Sequence, residues 1–169
     1  MSSTNAQTPV RTTIILTRPN DWDEWLEVVK TKAEAGKIWE YVDPSKAKDQ
    51  LKVLSRPTVP MAKDVNPTKN TVAELLAGEL DELKLLRFDF KHQLQLYERQ
   101  DTALVTLKSF IQETISRTFL SYTFKKESTY DVLTTLRQRV APLDQARKLE
   151  LTQRYGKLKK APKSQNIEA

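Results

Sequence analysis

Only three glycines, Gly36, Gly78 and Gly156, occur in 169 residues. That scarcity constrains the fold more than any other feature. Chains built from antiparallel strands need many tight turns, and the favoured turns place residues at φ > 0, where glycine has no steric penalty. A chain so poor in glycine favours helices. Three scattered glycines also make no P-loop and no dinucleotide-binding turn.

Apolar residues recur at three- and four-residue spacing along most of the chain, as helices require. Trp22, Trp25, Leu26, Val29 and Ala33 form a first stripe. Asn20 or Asp21 is its expected N-cap, with Asp21 and Glu24 as an acidic variant of a capping box. Gly36 is the expected left-handed C′ residue. The run Thr12–Thr17 is β-prone and reads as an extended anchor lying on the helices, and Pro19 holds Arg18 extended.

Four prolines (Pro44, Pro57, Pro60 and Pro67) break residues 43–70, leaving a short helix around 45–54 and a Pro-rich loop over about 55–69. A long helical region starts within 70–79, carrying Leu80, Leu83, Leu85 or Leu86, Phe90, Leu94 and Tyr97, then Leu104, Leu107, Ile111, Ile115, Phe119 and Tyr122. It is one helix, or two with a break near Asp101. Ser128 caps a further helix with Tyr130, Leu133, Leu136 and Val140, and Asp144 leads a last one with Ala146, Leu151, Tyr155 and Leu158. The pairs Asp81–Lys84, Glu113–Arg117, Asp144–Lys148 and Glu150–Arg154 have the spacing of helix-surface ion pairs. The expected fold is all-α, a compact bundle of about four to six helices. Residues 1–13 form a disordered arm, 14–161 the helical domain and 162–169 a basic, polar tail.

The chain has no cysteine and a single histidine, His92. Disulfides, thiolate metal sites and two-histidine mechanisms are thereby excluded. The carboxylate clusters (Asp21, Asp23, Glu24 and Glu27; Glu79, Asp81 and Glu82) sit at helix starts, where the helix dipole accounts for them. No apolar signal region and no run of about 20 apolar residues is present, so a soluble, cytoplasmic, non-catalytic protein without cofactor or small-molecule substrate is expected.

Two segments carry a resemblance. NDWDEWLEVVKTKAEAGKIWEYVDP places Trp22 and Trp25 ahead of the element Trp39-Glu40-Tyr41-Val42-Asp43-Pro44. LTTLRQRVAPLDQARKLELTQRYGKLKKAPKSQNIEA has a helix, a proline break, a helix with central Tyr155 and a closing P-K-x-x-N-I-E run. Both resemble the Gag polypeptides of copia-type LTR retrotransposons, especially fungal ones, and together with a compatible middle the resemblance covers residues 14–169. It implies a helical capsid-like domain that self-associates into virus-like particle shells around element RNA.

Trp22, Trp25, Trp39 and Tyr155 are then core anchors, a role helical spacing also gives to Tyr41, Tyr97, Ile111 and Leu136. The chain departs from a full Gag: it has no cysteines for a zinc knuckle, no Asp-Thr-Gly or Asp-Ser-Gly, and it stops at Ile167-Glu168-Ala169, where the family runs on into further capsid helices. Against the family pattern it reads as a fragment, a truncated reading frame or a decayed element.

The net charge is +6, and residues 127–169 hold nine basic and five acidic side chains. Arg147, Lys148, Arg154, Lys157, Lys159, Lys160 and Lys163 are the candidate RNA-phosphate contacts, weak and salt-dependent. The alternative function is a helical adaptor that docks a partner through an apolar groove around Phe110, Phe119 and Phe124.

Overall fold

The computed structural model describes residues 13–159. The arm expected over 1–13 (Thr13 apart) and the tail over 162–169 lie outside the described residues. Those described are all-α, with seven α-helices and no strand. They are α1 (Trp22–Ala35), α2 (Trp39–Val42), α3 (Ala62–Val65), α4 (Ala77–Glu113), α5 (Arg117–Leu120), α6 (Thr129–Val140) and α7 (Asp144–Lys159). Three of them are single turns, so α1, α4, α6 and α7 set the architecture. Among the described residues no helix is long and apolar enough to cross a membrane.

The main core lies where α1, the C-terminal half of α4 and α6 meet. Trp22, Trp25, Val29 and Ala33 from α1 pack with Leu107 and Ile111 of α4 and Val132, Leu133, Leu136 and Val140 of α6. Trp22, Trp25, Ile111 and Leu136 are thus buried as their spacing predicts, and Trp39 and Tyr41 are partly buried against the same cluster. Tyr97 is half-buried and belongs to neither apolar cluster. Tyr155 is not a core anchor: it is 62% exposed, because every residue of α7 from 151 to 158 is exposed.

The N-terminal thread is an extended anchor. Leu16, fully buried, makes a parallel bridge with Ile115: its N–H donates to Thr114 O at 2.8 Å, and its carbonyl accepts from Ser116 N at 2.9 Å. This thread takes up backbone groups that α4 releases as it ends. The helix stops there without glycine or proline, so the stripe through Ile115, Phe119 and Tyr122 continues on separate turns. Arg117 opens α5, and the expected pair with Glu113 is not formed. No break occurs near Asp101; α4 is one helix of 37 residues, about 55 Å long at 1.5 Å per residue.

Two expected caps take a different form. Asp21 makes no side-chain cap to α1 but turns back, accepting from Thr17 Oγ1 at 2.8 Å and Arg18 N at 3.0 Å. Gly36 is not left-handed (φ −81°); Lys37 is (φ 54°). Ile38 N donates to Ala33 O at 2.8 Å and Lys37 N to Glu34 O at 2.9 Å, which is the Schellman arrangement one residue later than expected. Gly36 is small for another reason: a Cβ there would meet Ala103 Cβ at 3.0 Å, where the end of α1 lies against α4. Gln100 Nε2 donates to Lys37 O at 3.0 Å and pins the turn. With Trp25 beside Thr114 and Gly36 beside Ala103, α1 runs antiparallel to α4.

The Pro-rich stretch carries α3 within it and lies along the start of α4. Ala62, Leu75 and Leu83 form a second, smaller core with Val65 and Leu80 around them. Glu79 accepts from Leu76 N at 2.8 Å and from Asn66 Nδ2 at 2.6 Å. These bonds, the backbone one first, hold its carboxyl below the usual range. The short helix expected around 45–54 is reduced to one 3-10 turn, Lys48–Gln50.

Candidate interaction surfaces

The basic residues of the last helix do not converge on one face. Arg147 is committed to Asp23 at 2.8 Å, and its Nε is buried without a hydrogen-bond partner among the described residues. Arg154 pairs with Glu150 at 2.7 Å. Lys148 and Lys157 are exposed but nine residues apart, which places them on opposite sides of a helix of 3.6 residues per turn. The side chain of Lys159, and all of Lys160 and Lys163, lie outside the described residues.

What α7 does present is an apolar stripe. Leu151, Tyr155 and Leu158 share one face at i, i+4 and i+7, and are 66%, 62% and 73% exposed. Leu149 is exposed on the other side. Arg147 lies on the stripe's face one turn earlier, and Lys148 and Arg154 flank it.

A second uncovered face lies on the N-terminal half of α4. Leu85, Phe88 and Leu96 are 69%, 73% and 44% exposed, and helical spacing puts them on one side with exposed His92 between. Further along, the same side carries Ala103 and Leu107, where α1 covers it. Cover stops at Gly36, where α1 ends. The opposite side of this half, through Leu80 and Leu83, rests on the smaller core. Sequence reasoning followed that stripe and missed the other. The signal was available: residues 80–97 hold more apolar side chains than one helical stripe accommodates.

The groove expected around Phe110, Phe119 and Phe124 does not form as one feature. Phe110 and Phe119 pack against the main core, Phe110 beneath Lys32 Nζ at 4.4 Å from the ring centre. Phe119 stacks on Tyr122 at 6.2 Å, and only Phe124 is left exposed.

A cleft of about 530 Å³ opens between the start of α1 and the turn from α6 to α7, lined among others by Trp22, Asp23, Glu27, Arg137 and Arg147. Its polar groups are largely engaged within the chain. Arg147 holds Asp23, Arg137 Nη1 donates to Pro44 O at 2.6 Å, and Asp43, also in the lining, accepts from Ser45 N and Oγ at 2.9 and 2.6 Å. Among the described residues, no three His, Asp or Glu side chains are grouped as a metal would need. In comparisons with known proteins, no family model, curated protein or solved structure matches the chain.

Proposed function

We propose that this chain is a non-catalytic structural protein, a Gag capsid-like polypeptide of the copia type, which self-associates in the cytoplasm into shells around element RNA. One observation carries the self-association: two helix faces, on α4 and α7, hold large apolar side chains in water. Contiguous apolar surface of this kind, rimmed by charge, marks contact with another macromolecule. The Gag identity rests on the tryptophan-rich opening and the closing P-K-x-x-N-I-E run. The first of these supplies the buried anchors of the main core.

RNA contact in this reading is electrostatic and non-specific, through the scattered cations of α7 and the basic segment after it. Such binding weakens steeply with salt. Light scattering on size-exclusion peaks, from low to high micromolar concentration, tests the assembly. Growth into large particles, by this chain or by the chain extended into further capsid helices, is the expected result. A strict monomer in both forms would overturn it and favour an adaptor that lays a partner helix on the α4 face.

A further inference from the structure

The two uncovered faces differ in charge. On α4, Leu85, Phe88 and Leu96 are bordered by Asp81, Glu82 and Asp89, all exposed, with Arg99 at the end nearer α1. Asp81 is engaged only by Lys84, at 2.9 Å on the open surface, a contact of little worth. On α7, Leu151 and Leu158 are bordered by Lys148 and Arg154; Arg154 is engaged by Glu150 at 2.7 Å on the open surface, a contact of as little worth, while Arg147, one turn earlier, stays with Asp23. One face is apolar with an acidic rim and the other apolar with a basic rim.

Helix α7 also carries apolar side chains in water: along its 16 residues Leu151 and Leu158 are largely exposed, and an exposed apolar stripe of this kind is what a partner covers. It cannot lie on the α4 face of its own chain. Its anchor, Arg147 on Asp23, sits at the first turn of α1. From there it is ~20 Å along α1 to Gly36 and ~10 Å more along α4 to Leu96, whereas α7 runs only ~16 Å from Arg147 to Leu158. The two faces stand at opposite ends of the molecule.

Resting on the self-association reading, we propose that α7 of one copy docks on the N-terminal half of α4 of the next. Leu151 and Leu158 lie against Leu85, Phe88 and Leu96, and Lys148 and Arg154 face the acidic rim. Because two different patches meet, the contact is heterologous. It adds copies head to tail and leaves a free α7 at one end and a free α4 face at the other until a ring or shell closes. One helix laid on another buries less than a standard interface, so each contact is weak and assembly depends on concentration.

The test uses the full chain with Phe88→Asp or Leu158→Asp, both at exposed positions where folding tolerates the change, with circular dichroism confirming helix content. By sedimentation velocity, each variant alone is expected to stay monomeric at concentrations where the wild type assembles. An equimolar mixture is expected to give a one-to-one dimer and nothing larger, since only one intact α7 and one intact α4 face remain. Swapping rim charges (Lys148→Glu with Arg154→Glu, or Asp81→Lys with Asp89→Lys) is expected to weaken association about tenfold or more for either set alone, and combining the sets to restore it.

Leu158→Asp assembling like the wild type, whether through a symmetric α4 contact or because α7 serves RNA instead, would overturn the proposal. So would a mixture of folded variants that stays monomeric. In both cases an assembling wild type leaves the broader self-association reading standing. A wild type that is monomeric at every concentration would overturn this contact, and the broader reading would fall with it only if the extended chain were monomeric too.

Discussion

The indole Nε1 of Trp25 donates to Thr114 Oγ1 at 3.0 Å, joining residues 89 apart in sequence. The same hydroxyl donates to Phe110 O at 2.8 Å, and the Thr114 carbonyl accepts from Leu16 N. A single threonine thereby fastens α1, the end of α4 and the N-terminal thread to one another. Replacing it by valine keeps the shape and leaves a fully buried indole N–H without a partner. A loss of about 1–3 kcal/mol is expected in urea unfolding, with Thr114→Ser close to wild type. Because Trp25→Phe removes the other half of the bond, the double variant should lose less than the sum of the two singles.

Two aromatic residues from similar-looking stripes should behave oppositely. Trp25 is fully buried and Tyr155 largely exposed. Trp25→Ala is expected to cost about 3–5 kcal/mol, a large share of the roughly 5–15 kcal/mol of a whole domain, and to leave the chain mostly insoluble. Tyr155→Ala, at a largely exposed position, should cost much less than that in dilute solution. Equal losses in thermal unfolding would contradict the placement of α7.

The turn after α1 separates two uses of glycine. Gly36 has a φ that alanine adopts freely, so Gly36→Ala should destabilise through its contact with Ala103 alone, by about 1–3 kcal/mol if neither helix yields. Lys37 is left-handed, a conformation that costs a non-glycine residue about 1–2 kcal/mol. Lys37→Gly should therefore raise the melting temperature, the gain being partly offset by the added freedom of the unfolded chain. A lowered melting temperature for Lys37→Gly would refute the left-handed assignment.

At the start of α6, Ser128 Oγ accepts from Asp131 N at 3.0 Å and donates to Asp131 Oδ2 at 2.7 Å. Ser128→Ala should cost about 1 kcal/mol as a lost N-cap. The Ser128 hydroxyl first, and the nearby Lys48 ammonium, hold the Asp131 carboxyl below its ordinary 3.8. The ionised form is thus favoured by folding. Its contribution is complete above 3.8 and disappears as pH falls through that value to the lower folded-state one. Asp131→Asn should lower the urea midpoint at neutral pH, and its difference from wild type should shrink as pH falls below 3.8. A difference that persists in acid would assign the effect to packing.

Much of the main core was legible because Trp22, Trp25, Val29 and Ala33 can share a helix face in only one way. Ser128 with Asp131 was legible for the same local reason: a cap is decided within four residues. The residues misread were those decided at a distance. Periodicity shows that Leu151, Tyr155 and Leu158 make a stripe, but not whether anything lies on it. The end of α4 has no local stop signal, since it is set by Trp25 and Leu16 arriving at Thr114. Gly36 was misread as the left-handed residue of the turn; its small size answers to Ala103, 67 positions away, which no local rule could supply.

Most of the core partners of α1 come late in the chain: Ala103, Leu107 and Ile111, then Leu133 and Leu136. Synthesis proceeds from the N-terminus at about 5–20 residues per second. Two tryptophans therefore leave the ribosome roughly 5–20 s before Val140, the last side chain of their core, is made. For much of that interval the tryptophan face of α1 has only the N-terminal thread and α2 to lie on. Apolar surface exposed in this way is prone to aggregation, so shelter for Trp22 and Trp25 until α4 and α6 emerge bears on how much of the chain reaches the finished fold.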